Sequence, residues 1–155
     1  MATNSIKLDD TSISYVTLSQ AYTQVMLNDK EFQLKTFLWR DFMPTIVSNN
    51  YVEKSTIPGS HLIAKLRIST VDNSEFPADV KAHQVWIILN ETQIWNTSDI
   101  EEQPRSSTNQ ILTITIRNGP KWGPKVTVDV VVQLINTDGK TVLLQAKQQT
   151  IGCTS

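Results

Sequence analysis

Apolar and polar residues alternate over several stretches of the second half of the chain. In residues 62–69 the even positions are apolar, and the odd positions include Lys65, Arg67 and Ser69. A period of two over this length predicts a β-strand with one face buried and one face in water. Residues 112–117, 126–134 and 142–146 alternate in the same way, and residues 80–89 and 92–95 are two further predicted strands.

Turn-forming residues separate these predicted strands. Asp72, Asn73 and Ser74 follow the first of them, and Asn90 and Glu91 separate two others. Residues 136–140 contain an Asp-Gly pair, which tolerates left-handed backbone and predicts a tight hairpin. Residues 118–124 hold two prolines and two glycines, so we expect no regular structure there.

The first sixty residues admit two interpretations. Apolar residues at 18, 21, 22, 25 and 26 fit a helical stripe, with Thr17 as a candidate N-cap. The same stretch is rich in Thr and Val and is followed by a turn at residues 28–30 and by alternation in residues 32–38. We favour a β-hairpin over the helix.

Short strands at this spacing predict an all-β fold, a two-sheet sandwich of about seven to nine antiparallel strands. The layout of residues 18–151 resembles immunoglobulin-like β-sandwiches, with Trp86 inside a central strand, although the cysteine pair of antibody domains is missing. The alternative is an α+β fold with one short N-terminal helix packed on the sheet. We expect one domain over residues 1–155, with a flexible segment at 1–13.

The predicted core follows from the alternation. We expect its members to be Leu62, Leu66, Ile68, Trp86, Ile88, Leu112, Ile114, Val128, Val130, Val132, Val142 and Leu144. The strand at residues 80–89 is unusual because Val85, Ile87 and Leu89 are apolar on the face opposite Trp86. Leaving them in water would forfeit several kcal/mol of burial, at about 1.5–3 kcal/mol for each large side chain. If residues 18–27 form a helix, it covers this face; if they form a strand, we expect a second subunit to cover it, and we favour the second arrangement.

Composition narrows the classes of function. The chain has 14 basic and 15 acidic residues, and this balance predicts neither a nucleic-acid partner nor a membrane partner, although a local basic patch would be compatible with it. The N-terminus shows no secretory signal, and Cys153 is the only cysteine, so we expect a cytoplasmic protein without an internal disulfide. His61 and His83 lack any metal-binding spacing, so we predict neither a metal nor a cofactor.

Two segments carry the candidate binding residues. Trp39, Arg40 and Asp41 combine an aromatic ring, a cation and a carboxylate that could hold a sugar or a peptide. Arg117, Lys121 and Trp122 lie in or beside the proline-containing segment at residues 118–124, which could present a ring and cations to a ligand. Each group also has a structural interpretation, in which the tryptophans pack and the charges pair.

No catalytic motif is visible, so the sequence favours a non-catalytic binding or protein-interaction module over an enzyme. We expect a protein partner or self-association into a homo-oligomer, and carbohydrate is an alternative ligand. The alternative function is a small β-fold enzyme that acts on a glycan or small molecule through Asp and Glu. A third hypothesis, a subunit of a structural assembly, requires large repeated interfaces.

Overall fold

A computed structural model describes residues 14–41, 60–104 and 111–154 of the chain. The described part is nearly all β, as the alternation predicts. Its elements are α1 (Tyr15–Ser19), β1 (Gln24–Leu27), β2 (Lys30–Asp41), β3 (Leu62–Thr70), β4 (Lys81–Asn90), β5 (Gln93–Thr97), β6 (Glu101–Glu102), β7 (Ile111–Gly119), β8 (Thr127–Ile135) and β9 (Thr141–Thr154). The flexible segment expected at residues 1–13 lies outside the described residues.

The nine strands form one curled sheet in the order β5-β4-β8-β9-β2-β3-β7-β6, and β1 also pairs with β2. We refer to β5, β4, β8 and the first part of β9 as the β4 half, and to β1, β2, β3, β7 and β6 as the β2 half. The last residues of β9 pair with β2 in parallel, from Leu38↔Ile151 to Asp41↔Thr154. The prediction of purely antiparallel strands is therefore wrong at this junction, and the sheet is mixed.

Strand β9 joins the two halves because it changes neighbours along its length. It pairs with β8 from Thr141 to Thr150 and then with β2. A bulge interrupts its ladder with β8 near Asp129, where Gln148 adopts a φ of 55° and donates its backbone N–H to the Asp129 carboxylate at 2.9 Å. A bulge bends a strand and increases its twist, which is how one strand serves both halves.

Both predicted hairpin turns are present. Asn28 and Asp29, with φ of 55° and 60°, connect β1 to β2 in the left-handed geometry that suits a two-residue hairpin. In the turn after β8, Gly139 has a φ of 83°, which favours glycine. The Asn28 side chain donates to Asp79 at 2.8 Å and accepts from Asn136 at 2.8 Å, so one polar network ties the two turns together.

The main hydrophobic core lies between the two halves and contains side chains from both. Phe32, Leu66 and Ile114 come from the β2 half, and Val85 and Val130 come from the β4 half. Of the predicted core residues, all except Val142 are buried, and Val142 is half-buried and packs against this core. The alternating pattern therefore identified the buried positions.

The facing of β4 differs from the prediction. Val85 and Ile87 point into the main core, whereas Trp86 and Ile88 lie on the other face in a second cluster with Leu18 and Val131. Alternation could not decide this, because both faces of β4 are apolar.

The N-terminal stretch combines the two interpretations. Residues 15–19 form a short helix, which places Leu18 on the outer face of β4, and residues 24–27 form a strand of the favoured hairpin. The N-cap is Ser14, whose hydroxyl accepts from the Thr17 backbone N–H, and Thr17 is not the cap. Both apolar faces of β4 are thus covered within the chain, so the expected second subunit is not needed to bury them.

Candidate functional site

The candidate site is the outward face of strands β2, β3 and β7. Side chains alternate across a strand, so those that point away from the main core share this surface. We call it the basic face and define it by its cations and aromatic rings: Lys35, Phe37, Trp39, Lys65, Arg67 and Arg117.

Positive charge is concentrated at the centre of the basic face. Lys35 lies directly opposite Arg67 on the neighbouring strand, and Phe37 lies opposite Lys65. Within the described part of the chain, none of these three cations forms an ion pair. Like charges directly opposite each other destabilise a sheet, so this arrangement is unfavourable until an anion neutralises it.

The centre of the face also exposes an aromatic ring. Phe37 is 49% exposed, and the Arg67 guanidinium carbon lies 5.1 Å from the centroid of its ring. This cation–π contact holds Arg67 over the ring while the guanidinium edge stays free to donate hydrogen bonds. Trp39, two residues further along β2, is half-buried and lies opposite Ile63.

The carboxylates of the face lie at its margins. Glu101 on β6 accepts a hydrogen bond from Arg117 Nε at 2.9 Å, and both side chains are more than half exposed. Exposed ion pairs contribute little to stability, so Arg117 can exchange this partner for another anion. Glu31 and Asp41 stand near the two ends of β2.

Arg40 occupies a different environment from its neighbour Trp39. It points inward, is 1% exposed, and donates from Nε to the Ser60 carbonyl at 2.8 Å. Its Nη1 donates to the carbonyls of Lys121 at 3.2 Å and Gly123 at 2.8 Å. Gly123 has a φ of 78°, a left-handed value that favours glycine. We call these four residues the Arg40 cluster.

Burial lowers the pKa of the Arg40 guanidinium from its usual range, because the charged form loses hydration. The carbonyl oxygens replace part of that hydration. The Arg40 cluster therefore fixes the segment after β7 to the end of β2, and its buried guanidinium is a structural group.

The structure does not bring the six predicted site residues together in one place. Trp39 and Arg117 share the basic face, with Ile63 between them, because a bulge sets Ile63 against two residues of β7. Arg40 and the Lys121 carbonyl belong to the Arg40 cluster. Trp122 is half-buried and packs against the main core, and Asp41 is exposed at the end of β2.

Four residues of the basic face were not among the predicted site residues: Lys35, Phe37, Lys65 and Arg67. The alternation in residues 62–69 had already placed Lys65 and Arg67 on the solvent side of their strand. The sequence does not indicate the register between β2 and β3, which places Lys35 opposite Arg67.

The described residues contain no group of three or more His, Cys, Asp or Glu side chains that could hold a metal ion. Among the same residues, no helix has the length and apolar character needed to cross a membrane.

Compared with known proteins, the chain matches no family model, no curated protein and no solved structure. The functional proposal therefore rests on the residues of the site itself.

Proposed function

We propose that this protein is a non-catalytic, cytoplasmic protein-interaction module that binds an acidic partner protein through the basic face. The observation that carries the proposal is the placement of Lys35 directly opposite Arg67 with no carboxylate between them. A partner carboxylate inserted there would pair with both cations and remove their mutual repulsion.

The composition of the face supports a protein ligand. Tryptophan and arginine are enriched among the residues that dominate binding energy in protein interfaces. The face combines Trp39 and Ile63, which offer apolar contact, with Arg67 and Lys65, which offer charge. An acidic surface that also carries apolar side chains would match both features.

Among the described residues, Asp72 and Asp79 do not support the enzyme alternative. Hydrogen bonds from Asn28 lower the pKa of Asp79, and hydrogen bonds from Ser74 lower that of Asp72. A general acid for glycan hydrolysis needs a raised pKa instead. We also propose that the curled sheet is an immunoglobulin-like sandwich, because the two halves share one main core.

The proposal is tested by Lys35→Glu. The introduced carboxylate would lie opposite Arg67 and form an attractive cross-strand pair, which should raise stability by about 0.2–1 kcal/mol. The same change should weaken binding of an acidic partner about tenfold. The variant thus distinguishes an effect on folding from an effect on binding, because its stability should rise while its affinity for the acidic partner falls.

The probe is a fluorescent peptide in which Asp and Glu alternate with Leu and Phe, followed by anisotropy at increasing salt. Lys81→Glu on β4, which changes the net charge by the same amount away from the basic face, is the matched control and should bind as the original protein does. No binding of the peptide, or equal weakening by both variants, would overturn the proposal. Tighter binding of a single-stranded oligothymidylate than of the peptide would show that the partner is a nucleic acid instead.

A further inference from the structure

A second surface feature lies beside β1, which pairs with β2 on the edge opposite to β3. A groove of about 720 Å³ lies between the start of β9 and the chain that runs from α1 into β1. We call it the Tyr22 groove; its lining includes Thr17, Gln20, Tyr22, Gln24, Met26 and Thr141. Small-molecule sites in proteins are typically of this size.

The wall that carries Tyr22 is held firmly to the sheet. The Tyr22 carbonyl accepts a hydrogen bond from the Gln145 backbone N–H at 2.8 Å. The side-chain Nε2 of Gln145 donates to the Ala21 carbonyl at 2.8 Å, and Gln145 is itself buried. The backbone of the groove is therefore fixed by hydrogen bonds that do not involve the side chains facing a ligand.

Two large side chains of the groove stand in water. Tyr22 is 74% exposed and Met26 is 59% exposed, although both carry apolar surface that burial would stabilise. Single exposed apolar residues are ordinary. Here, however, both side chains line the same groove.

Among the residues that the structure describes, the polar side chains lining the groove are uncharged. Thr17, Gln20, Gln24 and Thr141 can donate and accept hydrogen bonds, and the described residues of the lining include no Asp, Glu, Lys or Arg. Within the described part of the chain, the side-chain amides of Gln20 and Gln24 form no hydrogen bond. Each therefore presents a free donor and a free acceptor.

We propose that the Tyr22 groove is a binding site for a neutral oligosaccharide. A sugar ring has an apolar C–H face, which can pack on the Tyr22 ring, and a rim of hydroxyls, each both a donor and an acceptor. The glutamine amides and threonine hydroxyls match that rim. A charged sugar would find no ion-pair partner among the described residues that line the groove, and its charge would lose hydration there. The inference is independent of the proposed function, because the groove and the basic face share no residue.

The experiment uses saturation-transfer NMR and calorimetry on the full chain. The neutral probes are maltotriose, cellotriose, lactose and diacetylchitobiose, and a trigalacturonate serves as the anionic comparison. At least one neutral probe should bind, and the trigalacturonate should bind more weakly. If no neutral probe binds, or if the trigalacturonate binds best, the proposal is wrong.

Variants then locate the binding. Tyr22→Ala should weaken the neutral ligand about tenfold, whereas Tyr22→Phe, which keeps the ring, should stay within about threefold of the original protein. Gln24→Ala should also weaken binding, and it leaves the Tyr22 ring in place. Phe37→Ala removes an exposed ring from the other surface and should have no effect. Unchanged affinity in Tyr22→Ala, or an equal loss in Phe37→Ala, would place the sugar elsewhere and overturn the assignment.

Discussion

Replacing Arg40 by alanine should destabilise the fold more than any change on the basic face. Arg40 is 1% exposed and donates to three backbone carbonyls, those of Ser60, Lys121 and Gly123. These carbonyls come from segments that no regular strand pairing holds at that point. Removing the guanidinium therefore takes a charged hydrogen-bond donor from all three carbonyls at once.

The magnitude follows from those contacts. A hydrogen bond to a charged group contributes about 1.5–3 kcal/mol, and such contributions are not additive within one cluster. Water entering the space left by the side chain would rehydrate some of the carbonyls. We therefore expect Arg40→Ala to cost about 3–5 kcal/mol of the free energy of unfolding. Arg40→Lys should cost about 2 kcal/mol, because one ammonium cannot reproduce the planar fork.

Urea denaturation measures this cost directly. With a slope of about 2 kcal/mol per molar urea, Arg40→Ala should lower the midpoint by roughly 2 M. Arg117→Ala is the matched control: its side chain is exposed, and its ion pair with Glu101 should contribute less than about 1 kcal/mol. A midpoint shift below about 0.5 M for Arg40→Ala, with an unchanged slope, would refute the structural role of the Arg40 cluster.

Two further predictions concern stability. Leu18→Ala should cost about 2–4 kcal/mol, because it removes the buried side chain of α1 from Trp86, and thermal melts with Trp fluorescence would detect both the loss and the exposure of the indole. An unchanged melt would mean that α1 does not cover β4. Asp79 has a folded pKa held below its unfolded value chiefly by Asn28, so its stabilisation is present above about pH 4 and disappears as pH falls through the folded pKa. Asp79→Asn should therefore lose less stability than the original protein between pH 6 and pH 3, and equal losses in parallel melts would contradict this.

The sequence predicted strands and buried positions well, because each depends on local alternation. Strand β8 illustrates this, since Val128, Val130, Val132 and Leu134 are buried as predicted, although Gln133, which the alternation placed on the solvent side, is buried as well. The facing of β4 could not be predicted in the same way. Its two faces are equally apolar, and the choice depends on Leu18, which is distant in sequence.

The parallel pairing between β9 and β2 could not be predicted from a local pattern either. Residues 147–150 are polar throughout, so nothing in them indicates that β9 continues and then pairs with β2. The bulge that bends the strand requires a positive φ at Gln148, and a glutamine in the sequence does not indicate this backbone geometry. The parallel pairing and the bulge both depend on contacts between residues that are distant in sequence. The alternation of apolar and polar residues in one sequence contains no information about such contacts.

In the candidate site, too, the sequence predicted which side chains are exposed but not which of them lie next to each other. Exposure of Lys65 and Arg67 follows from alternation, but the approach of Lys35 to Arg67 follows only from register. The sequence grouped Trp39 with Arg40 because they are adjacent in the chain. On a strand, adjacent residues point to opposite faces, so this adjacency separates the two side chains.

If the basic face is the binding surface that we propose, the alternation of strand β2 serves both stability and binding. Its inward side chains, Phe32, Leu38 and Arg40, are buried. Its outward side chains, Lys35 and Phe37, are exposed on the basic face. The two sets share one backbone, so the Arg40 cluster, which fixes the end of the strand, also fixes the position of the outward residues. A rigid strand orders the binding side chains before a partner arrives, and such preorganisation reduces the entropy lost on binding. If the basic face binds the partner we propose, Arg40 supports the binding surface from inside the fold, whereas Lys35 contributes to binding at a small cost in stability, because it lies opposite Arg67.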